Sequence, residues 1–287
     1  MSIKVYEKPK EFLLVAREFL ERQEVLNAVI LGVVQRMIDD PAHFDNGAYL
    51  AIIRDARDEI VLVAMMDPPH PLTLAGEKDC PEEALVLLAE SIQISKRPLP
   101  SVHGPEPLPE RFAPIWASLN GLDYELEIGQ GVYELREVIP PAKVEGKLVM
   151  ATQEDLGLIS DWMMGFERDA FGENNSTLEK MTESMAHRIR KGEWYIWKDG
   201  DTPLSIVMRS RPTRHGICVT GVYTPPELRG NGYASASVAA FSQKLLDEGF
   251  EFTSLFTDLA NLTSNKIYMN VGYQHVSDFN KYKFGEK

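Results

Sequence analysis

Residues 219–235 constrain the fold more than any other stretch of the chain. An apolar run, Val219-Thr220-Gly221-Val222-Tyr223, passes through Thr224-Pro225-Pro226 into Arg229-Gly230-Asn231-Gly232-Tyr233-Ala234. Residues 234–248 then follow helical periodicity and stop at Gly249. The order is strand, proline turn, glycine loop, helix. A helix start presents backbone N–H groups with no partner inside the helix. The helix dipole adds partial positive charge there. Gly230 and Gly232 let a ligand approach the backbone closely, and Arg229 adds a fixed positive charge. Together these features describe a diphosphate site.

A second pattern follows about 30 residues on, in Asn261-Leu262-Thr263-Ser264-Asn265-Lys266-Ile267-Tyr268-Met269-Asn270-Val271-Gly272-Tyr273. The first pattern resembles the Arg/Gln-x-x-Gly-x-Gly/Ala loop of the GNAT superfamily of N-acetyltransferases. The second resembles that family's Asn-x-x-Ala/Ser-x-x-x-Tyr-x-x-x-Gly-Phe/Tyr signature. Each motif alone is weak, and their order and spacing make the signal. The resemblance covers residues 146–284, with its specificity in 217–273. It implies a co-substrate, acetyl-CoA. Residues 229–234 would grip its pyrophosphate. Backbone groups of Val222 and Thr224, with Tyr223 between them, would bind the pantetheine arm as an added strand would. Asn261 would hold the pantetheine, with Asn265 as a neighbouring candidate. Tyr268 would act as general acid toward the leaving thiolate. A dinucleotide-binding reading fails: the loop lacks the third glycine, and only 29 residues follow Asp258.

The general base stays open among Asp258, the acidic residues of 169–173, His187, His215 and an ordered water. Asp258 reads more readily as a turn cap. His70 and His103, alone among prolines, make a poor metal site, so no metal is expected.

Around this core, periodicity predicts two helices (10–20, 25–38), a hairpin (49–53, 60–66), helices at 81–94 and 111–119, and a strand at 132–138. Pro140-Pro141 interrupts the pattern. The second half predicts a strand (148–151), helices (154–171, 177–191), strands (194–198, 204–209, 217–223), then helix 234–248, strand 252–257, helix 264–271 and two short strands around Asn280. Thr152 and Asp155 predict a capping box at the start of the first of these helices. The two halves share one element order. The expectation is therefore an α/β chain of two domains. Residues 144–287 would form a GNAT-like mixed sheet flanked by helices, and residues 1–143 a degenerate copy. The stretch matching the glycine loop in the first half, Ala75 to Pro81, has one glycine and carries Glu77 and Asp79, which would repel a diphosphate. That half would instead shape the acceptor pocket or dimerise.

Charge narrows the partners. The 287 residues carry a net charge of −13, with −10 over residues 1–143 and −3 over 144–287. An acidic chain is a poor match for nucleic acid and favours a cationic partner. The expected acceptor is a small-molecule amine, handled by a monomer or a homodimer. No apolar run is long enough for a membrane span, and Met1 to Lys10 lacks the apolar core of a secretory signal. Cys80 and Cys218 read as free thiols suited to a reducing cytoplasm. The alternative from another class is a non-catalytic acyl-CoA-binding regulatory module.

Overall fold

A computed structural model describes residues 1–41, 47–172 and 176–286. The chain divides into two compact units. One comprises Met1–Tyr133, Phe256–Asn261 and His275–Lys287, and the other Glu134–Leu255 and Leu262–Gln274.

The first unit contains β1 (Ser2–Tyr6), α1 (Pro9–Glu21), α2 (Ala28–Asp39), β2 (Tyr49–Arg54), β3 (Ile60–Met66), β4 (Leu72–Gly76), α3 (Glu82–Ile94), β5 (Ser101–Pro105), α4 (Leu108–Asn120) and β6 (Leu122–Leu135). β1 to β4 pair antiparallel in sequence order. β4 and β5 are parallel, with Leu72 opposite Val102. Period-two alternation gives each side of this sheet its own helix pair. Leu50, Ile52, Val63 and Met65 pack under α1 and α2. Ala51, Ile53, Leu62 and Ala64 pack under α3 and α4, around Leu88, Phe112 and Trp116.

The rest of the chain repeats the order: β7 (Lys147–Met150), α5 (Leu156–Phe171), α6 (Leu178–Arg190), β8 (Trp194–Asp199), β9 (Thr202–Ser210), β10 (Gly216–Tyr223), α7 (Tyr233–Asp247), β11 (Phe252–Asp258), α8 (Leu262–Val271) and β12 (Gln274–Glu286), of which residues 256–258 of β11 and 275–286 of β12 belong to the first unit. β7 to β10 pair antiparallel, and β10 pairs β11 in parallel. α5 and α6 cover the face of Trp194, Ile196 and Ile206. Phe241 and Leu245 of α7 cover the opposite face, against Tyr195, Val207 and Val219. The expected capping box ahead of α5 is present: the Asp155 carboxylate accepts from the Thr152 N–H at 2.9 Å, and the Glu154 N–H reaches the Thr152 hydroxyl.

Sequence reasoning missed three strands. β1 is only five residues long, β4 follows a proline-rich stretch, and β5 (Ser-Val-His-Gly-Pro) is poor in strand formers. Burial of β5 on both faces overrides that weak propensity. The two short strands expected around Asn280 are one strand, β12. Asn280 sits opposite Gly104 of β5, and its amide donates to Glu106 Oε1 at 2.8 Å, so the polar residue is paired and the ladder continues through it. β12 lies between β5 and β6 in the first unit's sheet. The units are thus not contiguous in sequence, whereas the expected domains divide the chain once.

Among the described residues no helix is long and apolar enough to cross a membrane, and no group of three His, Cys, Asp or Glu could hold a metal ion. Cys80 and Cys218 are both free and buried.

Candidate functional site

The site grows from an irregularity in β10. Against β9, Thr220 faces Met208 but Tyr223 faces Ile206, so three steps on β10 meet two on β9. One residue is extra, and this bulge bends the strand. Gly221 takes the left-handed conformation the bulge needs, with φ +62. A Cβ there would lie 2.7 Å from the Trp194 ring, so space as well as φ demands glycine. On the other side, the parallel ladder with β11 runs from Gly216 to Cys218 and carries no further pair among the described residues. β10 nonetheless continues to Tyr223. The backbone of residues 219–222 is the edge an extended ligand could pair with.

The chain then makes a short 3-10 turn, Pro226–Leu228, and enters the glycine loop. Gly230 and Gly232 both have φ above +80, and Gly232 caps α7. The Asn231 amide donates to the carbonyls of Leu228 and Arg229, tying the loop from inside. Nothing lies within 4 Å of the space a Gly230 side chain would fill, so the approach to the backbone is open. The first turn of α7, which includes Tyr233 and Ala234, contains no acidic residue. Among the described residues no side chain caps this helix start, the kind of terminus that attracts an anion. The matching helix of the first unit, α3, begins with Glu82 and Glu83. The loop before it holds Glu77, whose carboxylate accepts from Gln23 at 3.1 Å. One unit thus has an acid-free helix start, while the other carries two carboxylates in the first turn of the matching helix.

Arg229 folds back over its own loop. Its Nε donates to the Thr224 carbonyl at 2.9 Å, and its Nη2 donates to the Asp169 carboxylate of α5. Its guanidinium carbon lies 5.6 Å from the centre of the Tyr223 ring. The Tyr223 hydroxyl is 3.4 Å from the same Asp169 oxygen, and its ring stands edge-on to Trp162 and Phe166. Burial pushes the Tyr223 phenol above its ordinary pKa, and the Asp169 charge adds to the shift. Thr224 is buried, its hydroxyl donating to Ser205 at 3.1 Å. Arg229 thus takes one of the two acceptor lone pairs of the Thr224 carbonyl.

Within α8, Asn265 is buried and Tyr268 half-buried. The Tyr268 ring stands edge-on to Tyr273, 6.1 Å away. Desolvation pushes the Tyr268 phenol up to about 12. Burial pushes Tyr273 up as well, although its hydroxyl shares hydrogen bonds with Ser242 (2.9 Å) and Thr253 (2.8 Å). Both phenols favour their protonated form in the folded chain. Their contribution to stability is full below the unfolded-state pKa of about 10 and is lost as pH rises through about 12 for Tyr268. Denaturant midpoints measured across pH 9 to 12 should fall over that window; a flat profile would contradict the assignment.

Tyr223, Thr224 and residues 229–234 are thus gathered in the second unit with Asp169, one of the acidic residues expected only as general-base candidates. Glu173 lies outside the described residues. Asn261 belongs to the first unit, where its N–H donates to the Asp258 carbonyl at 3.0 Å. Asp258 Oδ1 accepts from the Ala260 N–H at 2.8 Å, the turn-capping arrangement. His187 lies in the last turn of α6. No sequence signal marked Ser205, whose hydroxyl donates to the Tyr223 carbonyl at 3.1 Å behind the bulge.

Residues 158–273 match the family model for the acetyltransferase (GNAT) family. No curated protein matches the chain by sequence. Among solved structures, an acetyltransferase of the GNAT family from Colwellia psychrerythraea is similar over 100% of both chains, with TM-score 0.62 and 12% identity. A GCN5-related N-acetyltransferase from Sphaerobacter thermophilus is similar over 98% of this chain and 94% of its own, with TM-score 0.62 and 15% identity. A tandem GNAT protein from the clavulanic acid biosynthesis pathway is similar over 99% of this chain and 98% of its own, with TM-score 0.57 and 11% identity. At these identities the structural likeness establishes the fold.

Proposed function

We propose that this chain is an N-acetyltransferase moving an acetyl group from acetyl-CoA directly to a primary amine, a reading supported by the match of residues 158–273 to the acetyltransferase (GNAT) family model. The observation that carries the proposal is the start of α7. A left-handed glycine cap and an acid-free first turn follow, after one short 3-10 turn, a bulged strand whose ladder to β11 ends at Cys218.

In this reading, the N–H groups of residues 230–234 and the Arg229 guanidinium hold the diphosphate. Backbone groups of Val222, Tyr223 and Thr224 align the pantetheine arm, and Asn265 of the same unit steadies it. When bound, the thioester supplies the acyl group. N–H groups near Val222 to Thr224 polarise its carbonyl. Holding both substrates together supplies the proximity advantage. The amine attacks in its neutral form, its proton passing to water; the new C–N bond forms as the C–S bond breaks, and the Tyr268 hydroxyl, which keeps its proton throughout the neutral range, protonates the departing sulfur and is reprotonated from solvent. The acidic surface favours an amine that arrives as a cation, and the cysteine pattern suits a cytoplasmic setting. The first unit, with Glu82 and Glu83 at its helix start, takes no CoA.

One observation favours the second reading, a non-catalytic acyl-CoA-binding module. A phenol at about 12 gives up its proton less readily than a thiol of pKa about 8.5. That module would bind CoA and release no thiol with any amine. The test is calorimetry with CoA, followed by a thiol-release screen with acetyl-CoA against amino acids, polyamines, aminoglycosides and peptides. Micromolar CoA binding and release with at least one amine class are expected. Absence of CoA binding would sink both readings.

A further inference from the structure

Asp169 stands where helix stability gives it no reason to be. It lies in the last turn of α5, the negative end of the helix dipole, where an acid is unfavourable. Its carboxylate instead faces out of the helix to Arg229 and the Tyr223 hydroxyl. Both ends of the ion pair are open to solvent, with side-chain exposures of 48% for Arg229 and 41% for Asp169. An exposed pair of this kind is weak and exchangeable. Arg229 is anchored separately through Nε on the Thr224 carbonyl, so its two terminal nitrogens can change partner without releasing the loop. The groups facing this pair include Arg168, whose charge is felt at Tyr223 alongside those of Asp169 and Arg229.

Resting on the acyl-CoA reading of the loop, we infer that Asp169 is an intramolecular stand-in for the diphosphate. In the free protein it holds Nη2 of Arg229, one of the two terminal nitrogens that a diphosphate would engage, and binding of CoA exchanges one anion for the other at that nitrogen. A guanidinium fork serves one planar or tetrahedral oxyanion well at a time, so the two compete. The exchange leaves the Asp169 carboxylate beside the Tyr223 hydroxyl without its cation, only in the CoA-loaded protein. Asp169 is a positioning residue: it acts through Arg229, and its loss should help CoA binding rather than harm it.

The test is calorimetric titration of CoA into the full-length wild type, Asp169→Asn, Arg229→Ala and the double variant, with thermal melts confirming that each is folded. Asp169→Asn should bind CoA about two- to fivefold tighter, the range an exposed ion pair supports. Asp169→Ser should show the same gain. In the Arg229→Ala background the gain should vanish, because nothing remains to compete for. An equal or weaker affinity in Asp169→Asn overturns the inference. So does a gain that persists without Arg229, which would reflect simple removal of negative charge. A wild type that binds no CoA overturns the acyl-CoA reading itself, and this inference with it.

Discussion

Tyr268→Phe is expected to lower turnover by about a hundredfold or more, the scale of a lost general acid, while CoA affinity stays within about twofold. The phenol is half-buried in α8, and its proton is held well past neutrality. Phenylalanine keeps the ring against Tyr273 and removes only the donor. The effect should appear in kcat with an amine identified by thiol release, and calorimetry should report the unchanged CoA affinity. Unchanged turnover would remove Tyr268 from the mechanism. A parallel loss of CoA affinity would make it a binding group instead.

Gly221→Ala should destabilise the second unit by about 2–5 kcal/mol and abolish tight CoA binding. Two costs add. A left-handed conformation costs a non-glycine residue about 1–2 kcal/mol, and φ here is +62. A methyl group forced to within 2.7 Å of Trp194 adds an overpacking cost of about 1–3 kcal/mol. Trp194 is fully buried and cannot swing aside. Relaxing φ instead would undo the bulge, restore regular pairing with β9 and reposition the backbone of residues 219–222. Denaturant unfolding and CoA titration of the same variant measure the two halves of this prediction. Native-like stability with native-like CoA affinity would mean that the bulge does not shape the site.

Much of the site could be read from the chain because its chemistry is local. Arg229, Gly230, Gly232 and the start of α7 fall within six residues, and a helix start needs only its own backbone to attract an anion. The repeated element order was equally visible, because helices and buried strands announce themselves through periodicity. Where periodicity was short or chemically unpromising, as in β1, β4 and β5, it failed. Those strands exist because neighbouring strands pair with them, and β4 and β5 are buried besides. The sequence alone also left Asp169 as one acid among several, since nothing in it links positions 60 residues apart.

By itself, then, the sequence determined the glycine loop, the charge at its mouth and the repeated order of helices and strands. These follow from φ preferences, backbone polarity and apolar spacing over a few residues. Only the tertiary structure decided which partner each of these finds. The pattern around Asn280 told of strand at the end of the chain, but a strand offers the same hydrogen bonds to any neighbour. Packing placed β12 beside β5. Likewise a guanidinium accepts any nearby anion, and the fold chose Asp169 by bringing the end of α5 to the loop.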